Sequence, residues 1–270
     1  HQDEIDNLFW NRILQGVEKY LSARNHRLIL GISNADEENR MQLPAVIKNS
    51  RLSGIIMIGI FDEAYYRLVH ATGFPLVTID SAASIWDHNL ISDMILTCNE
   101  SCVYSITEKI IGQGIRDIAF VGEHEICRSL RERWMGYRNA MKYYDIPINS
   151  AYDCLQQTRS HQLIGQILQK MDTMPRALIC INDNMANEAI RVVQSRGLRV
   201  PEDVMVSGFD NFDHISSPFA ELTSVNYNIV ELGIQAARQL LYRIEAPSSP
   251  LCLIRLESHV IFRRSTELPV

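Results

Sequence analysis

The apolar positions of this chain follow two alternating rhythms. In "NLFWNRILQGVEKYLSARN" they recur at Phe9, Ile13, Val17, Tyr20 and Leu21, a spacing that lines one face of a helix. The short apolar run "RLILGI" follows and reads as a strand, and the next helix spans residues 36–49. Then come the strand "GIIMIGI", a helix over 62–71 and the strand "PLVTID". After "NLISDMILT" the rhythm restarts. It predicts a helix over 99–113, the strand "DIAFVG", a helix over 129–144, a short strand about Asp153, a helix over 160–171, the strand "ALICIN", a helix over 184–196 and the strand "VMVSGF". Strands that alternate with helices imply parallel sheets covered on both faces, because each parallel connection crosses over through a helix.

Several strands end in polar residues on their carboxyl side: "GISNAD" in Ser33 and Asn34, "VTIDS" in Asp80, "FVGEHE" in Glu123, "ICINDN" in Asn182 and Asp183, and "SGFDN" in Asp210. Any one of them is explained by a turn in which Asp or Asn bonds nearby backbone donors. Five, distributed over two βα series, suggest two sheets presenting polar edges to a common cleft, since open α/β sheets bind ligands outside the carboxyl ends of their strands.

Composition narrows the function classes. The chain has 270 residues, 46% hydrophobic and 21% charged, enough for one large domain or two medium ones. Its net charge of −6 supplies no overall basic field, so this chain alone is not expected to hold nucleic acid. No apolar run approaches the ~18 residues of a membrane span, and no cleavable signal pattern opens the sequence, so a cytoplasmic location is expected. The six cysteines include no CxxC pair and read as reduced. The spacings Cys98 to Cys102 and His124 to Cys127 lack a second pair to close a tetrahedral site, so no metal is expected. Nor is catalysis or a cofactor. GxSxG, HExxH, P-loop and GxGxxG patterns are missing, and Gly112 and Gly114 in "IIGQGIRD" suit a helix C-cap. The carboxylate pairs Asp210/Asp213 and Glu123/Glu125 read as facing solvent or ligand hydroxyls.

Five segments carry a resemblance: "NLFWNRILQGVEK", "RSLRERWMGYRNAM", "PRALICINDNMANEAIRVVQSRGLRVPEDVMVSGFDN", "SPFAELTSVNYNIVELGIQAARQLLYRI" and "HVIFRRST". Together they make the chain similar to the effector-binding and dimerisation core of the lactose/galactose repressor family, whose fold is shared by periplasmic sugar-binding proteins. The resemblance implies an α/β fold of two similar doubly wound parallel-sheet subdomains joined by three crossovers, near Thr97, Tyr227 and Glu257. One subdomain would comprise residues 1–97 plus 228–256, the other 98–227 plus 257–270. It also implies a helix-turn-helix domain and a first strand upstream of "HQDEIDN". The implied function is that of a transcriptional regulator, a repressor. It binds a small sugar or sugar derivative in the inter-subdomain cleft and, as a homodimer, changes its affinity for operator DNA by subdomain rotation. The alternative is an exported sugar-binding receptor. The run "MILTCNESCVYSITEKIIG" reads as carrying more apolar surface than one sheet face requires, which suits a homodimer.

Site residues follow from the same resemblance. The family places aromatics against the effector where Phe9 and Trp10 stand, and an aromatic face stacks on the C–H side of a sugar; Phe9 also lies on the core stripe with Ile13. Asp80 occupies a ligand-facing carboxylate position, suited to vicinal hydroxyls, with the turn as its other reading. Arg133, three residues before Gly136, matches the arginine that reaches into the cleft, where its planar fork can hold two oxygens at once. Arg131 reads as solvated. Asn182 and Asp210 would donate to and accept from hydroxyls, and Tyr227 stands where relatives often have Gln. As a cleft residue, Arg133 is expected to be replaceable without loss of the fold.

Overall fold

A computed structural model of the chain describes residues 4–49, 51–211 and 221–268. In chain order its elements are α1 (Glu4–Ser22), α2 (Ala35–Asn39), α3 (Ala45–Asn49), β1 (Ile55–Ile58), α4 (Glu63–His70), β2 (Leu76–Ile79), β3 (Asp93–Thr97), α5 (Asn99–Gly112), β4 (Ile118–Val121), α6 (Arg128–Tyr143), α7 (His161–Lys170), β5 (Ala177–Cys180), α8 (Asp183–Ser195), β6 (Met205–Ser207), β7 (Ser224–Asn226), α9 (Ile229–Glu245), β8 (Leu253–Leu256) and β9 (His259–Ile261). They gather into two units. The first comprises His1–Thr97, Ile126–Ser129 and Asn228–Leu256, the second Cys98–Glu125, Leu130–Tyr227 and Glu257–Val270.

The first unit is built on a four-stranded sheet in the order β1-β2-β3-β8, every neighbouring pair parallel. Side chains of β1 alternate between its faces, as the two-residue period of a strand requires. Met57 joins Tyr65, Tyr66 and Val69 of α4 with Met94 and Leu96 of β3. Ile56 and Ile58 pack instead with Val17 and Leu21 of α1 and Ala237 of α9. Helices therefore cover both faces, as the alternation of elements predicted.

Helices α1 and α9 approach so closely that only glycine fits at the crossing. A Cβ on Gly16 would lie 2.0 Å from the Val230 carbonyl oxygen, and one on Gly233 would lie 2.0 Å from that of Ile13. Gly233→Ala is therefore expected to lower stability by about 1–3 kcal/mol through overpacking against backbone. Gly112→Ala, whose added Cβ meets nothing within 4 Å, should be neutral or slightly stabilising. Urea denaturation of the two variants checks the contrast.

Three expectations are corrected. "RLILGI" is not a strand: it joins no ladder among the described residues, with Leu28 packed on the α1/α9 layer and Ile29, Leu30 and Ile32 exposed at 52%, 58% and 82%. An apolar run supplies β propensity but no hydrogen-bonding partner, and a strand needs both. The helix expected over 36–49 is two short ones. Pro44 has no N–H and holds Leu43 out of the helical region, while Asn34 and Glu37 form a capping box on α2. The strand expected about Asp153 is a 3-10 helix, Ser150–Gln156, whose buried Tyr152 and Leu155 are three residues apart, the 3-10 repeat.

The second unit carries a parallel three-stranded sheet, β4-β5-β6, and a separate antiparallel ribbon of β7 and β9. Helix α8 packs on β5 and β6, and α7 on α8. Cys102, Val103, Ile106, Ile110 and Ile111 of α5 are buried, as are Met94, Ile95 and Leu96 of β3. The chain's own cores thus consume the apolar surface that had suggested a partner-packing face. Among the described residues no helix is long and apolar enough to cross a membrane.

Candidate functional site

The carboxyl edge of the β4-β5-β6 sheet brings polar side chains together in the second unit. Arg133, on α6, is only 7% exposed. Its Nε donates to Asn99 Oδ1 at 3.2 Å, its Nη1 to the Ile181 carbonyl at 2.5 Å and its Nη2 to Asp210 Oδ1 at 3.5 Å. The guanidinium lies over the Phe209 ring, 3.5 Å from its centroid. Such stacking suits the flat, weakly hydrated arginine head better than a compact, strongly hydrated ammonium. Asn99 opens α5 directly beyond β3, and its Nδ2 donates to the buried Glu132 at 3.1 Å. The Tyr227 hydroxyl donates to Asp210 Oδ1 at 2.8 Å. A continuous polar chain therefore runs Glu132, Asn99, Arg133, Asp210, Tyr227.

Burial, reinforced by the Asp210 charge, holds the Tyr227 phenol well above its ordinary pKa, so it stays a neutral donor. The turn that carries Asp210 is left-handed at two successive residues, φ being 102° at Asp210 and 45° at Asn211. Short polar side chains tolerate that region better than most. Asn182 is one residue beyond the carbonyl that Arg133 reaches. It serves as the N-cap of α8, its side chain accepting from Met185 N at 2.9 Å. The arrangement gathers a hydrogen-bonding fork seated on the buried Phe209 ring, an amide and a carboxylate, with two acidic side chains, Glu132 and Asp210, in the same polar chain as the Arg133 guanidinium. That chemistry suits a neutral, hydroxyl-rich molecule better than an ion.

The first unit holds the remaining candidates in two places. Phe9 and Trp10 are half-buried on α1, with rings edge to face at 4.7 Å. Asp80 follows β2 with φ of 66°, and its Oδ1 accepts from Ser81 N at 2.7 Å and from Ser129 N at 3.1 Å. This is the turn that "VTIDS" allowed, with the carboxylate bonded to the residue after it. Burial raises the Asp80 pKa against those bonds. The folded chain then holds the proton more tightly than the unfolded one, so stability from this group declines as pH rises through that range. Asp80→Asn keeps the acceptor, tolerates the left-handed backbone and removes the buried charge. It is expected to cost less than about 1 kcal/mol and to flatten the decline in melting temperature above about pH 4.

Sequence reasoning missed Asn99, Glu132 and Phe209. Asn99 could have been found, because it stands just past the carboxyl end of a strand as Asp80 does. Glu132 gave no signal, since a charged residue within a helix ordinarily reads as solvated. Arg128 gave none either, yet it is fully buried, paired with Asp87 and bonded to the Ile85 carbonyl at 3.3 Å. Arg131 bonds Glu125 at 2.6 Å on the surface. Asp213 lies outside the described residues. Among the described residues no group of three or more His, Cys, Asp or Glu is placed to hold a metal ion.

Comparison with known proteins agrees with this architecture. The family described as periplasmic binding protein-like domain matches residues 107–266. The HTH-type transcriptional repressor PurR of Vibrio parahaemolyticus is 26% identical over 270 residues, covering 97% of this chain and 78% of that one. The uncharacterised HTH-type transcriptional regulator YvdE of Bacillus subtilis is 31% identical over 245 residues, covering 88% and 75%. A LacI family transcriptional regulator from Enterococcus faecium, solved with bound ribose, superposes with a TM-score of 0.78 at 24% identity, covering 97% and 95%, and shares the fold. This chain belongs to the periplasmic binding protein-like domain family, as the core of a regulator of the lactose/galactose repressor type.

Proposed function

We propose that the chain is the effector-sensing core of a DNA-binding transcriptional repressor and that its effector is a small sugar or sugar derivative. The observation that carries this is the second unit's edge, where the Arg133 fork lies over Phe209 beside Asp210 and Tyr227. Arg133, Asn182, Asp210 and Tyr227 are assigned to the effector. In the first unit, the rings of Phe9 and Trp10 are suited to stacking on a sugar face. Asp80 is assigned as well: its Oδ1 is held by the Ser81 and Ser129 amides, as the Asn182 side chain is held by the Met185 amide.

The protein acts by binding, not turnover. Effector binding shifts the population between conformations of the core, and in a homodimer that shift changes how DNA-binding heads meet operator half-sites. The setting is the cytoplasm. Relatives named as transcriptional repressors support the regulator over an exported sugar receptor, and the Enterococcus faecium regulator solved with ribose supports the ligand class. A thermal-shift screen of the purified chain against mono- and disaccharides tests the reading. A ligand at about 100 times its Kd should add about 2.7 kcal/mol of stability. No rise with any sugar would refute it.

A further inference from the structure

Arg263, just after β9, is far in sequence from the polar chain around Arg133 yet reaches the turn that carries Asp210. Its Nη2 donates to Asn211 Oδ1 at 2.8 Å, and its Nη1 donates to the Leu222 carbonyl at 2.5 Å. The backbone of Arg263 is itself fixed. Its N donates to Thr223 Oγ1 at 2.8 Å, and that hydroxyl donates to the Arg263 carbonyl at 3.0 Å. Nearby, Ser265 Oγ donates to the Val206 carbonyl of β6 at 2.6 Å, so the segment is stitched to the strand that delivers Asp210.

Asn211 receives this guanidinium while its own N donates to Ser224 Oγ at 3.0 Å, and that hydroxyl donates to Asp183 Oδ1 at 2.6 Å. Asp210 N donates to the Val225 carbonyl at 3.2 Å. Two successive left-handed residues persist only where their surroundings over-determine them. Here the backbone bonds come from β7, while the Asn211 side chain accepts from Arg263 at 2.8 Å and makes a longer bond, its Nδ2 donating to Asn226 Oδ1 at 3.4 Å. If the turn relaxed toward the ordinary right-handed region, the Asp210 carboxylate would swing away from Tyr227 and Arg133.

We propose that Arg263 is a positioning residue for effector binding: by holding the Asn211 side chain it keeps the Asp210–Asn211 turn left-handed and aims Asp210 at Tyr227 and Arg133. The role rests on the assignment of the effector to this edge, and it can be tested with no effector present.

The probe is the Tyr227 phenol, followed by NMR in the full chain labelled at tyrosine Cζ and assigned with Tyr227→Phe. Asp210→Asn sets the resonance position for a weakened Tyr227–Asp210 bond. Arg263→Met, which leaves the longer Asn211–Asn226 bond in place, should move the Tyr227 resonance in that direction, and Asn211→Ala, which removes both that bond and the acceptor of the guanidinium, should move it the same way. Arg263→Lys, able to reach one of the two oxygens, should return it part of the way. A Tyr227 resonance unmoved in Arg263→Met or in Asn211→Ala would overturn the proposal and leave Arg263 as a tie between β7 and the residues after β9. Should Arg263→Met fail to fold, Asn211→Ala and Arg263→Lys decide it by the same signal. If no sugar stabilises the wild-type chain, the proposed function falls, while the Tyr227 resonance still decides the role of Arg263.

Discussion

Arg243→Ala is expected to destabilise the first unit by about 3–5 kcal/mol, enough to unfold a marginal domain. Arg243 on α9 is 6% exposed and Asp93 on β3 is fully buried. The pair is bidentate, Nε to Oδ2 at 2.7 Å and Nη2 to Oδ1 at 2.8 Å. The same guanidinium donates to the carbonyls of Ser249 at 2.5 Å and Pro250 at 2.8 Å, and Asp93 Oδ1 also accepts from Cys252 N at 2.7 Å. One ion pair thus fastens the end of α9, the connection to β8 and the start of β3. Truncating the arginine strands a carboxylate in the core, and the cost of that desolvated charge exceeds the bond lost. The double replacement Asp93→Leu with Arg243→Met removes both charges and should recover most of the loss, because the attraction between buried ions is largely offset by their desolvation. Urea denaturation of the single and double variants reads the difference. A loss below about 1 kcal/mol in Arg243→Ala, the level of an exposed pair, would contradict this account.

Arg133→Ala is expected to cost both affinity and stability. The effector loses charge-assisted hydrogen bonds worth roughly 1.5–3 kcal/mol, so affinity should fall about 10- to 150-fold. Sequence reasoning expected the fold to be indifferent, and the structure corrects this. Arg133 is buried, and each of its nitrogens already serves a protein acceptor. Removing it leaves the Ile181 carbonyl and the Asn99 amide without that donor and takes a positive charge from beside Asp210, whose side chain is 15% exposed. A further loss of about 2–4 kcal/mol of folding stability is expected. Arg133→Lys should restore part of the charge balance and little of the stacking on Phe209. Calorimetric titration with a sugar found in the thermal-shift screen, beside urea denaturation, separates the two losses. Unchanged stability in the alanine variant would mean that the bonds around Arg133 are formed only in passing.

Much of the fold was legible because hydrophobic period is a local property. The stripe at Ile13 and Val17 makes α1 a helix whatever surrounds it, and the unbroken apolar runs at β4 and β5 demand burial on both faces, hence parallel strands under helices. The polar residues at the strand ends were legible for the same reason. The regulatory role was not legible from period or composition; it rested on family resemblance in segments such as "INDN" and "SGFDN".

Tertiary structure alone decided the rest, wherever the deciding partner is distant in sequence. "RLILGI" has the composition of a strand and no ladder, because pairing depends on a second segment. Asp80 takes an amide from Ser129, 49 residues away, a bond that no local reading of "VTIDS" contains. Asp210 lies 77 residues from Arg133, Asn211 lies 52 from Arg263, and Asp93 lies 150 from Arg243. Whether a charged side chain is solvated or buried depends on what the fold brings against it, and no local window contains that information. The sequence by itself determined which elements form and which of them end in polar groups; only the packed structure decided which of those groups are spent on one another, because desolvation and hydrogen-bond partnership are properties of neighbours in space.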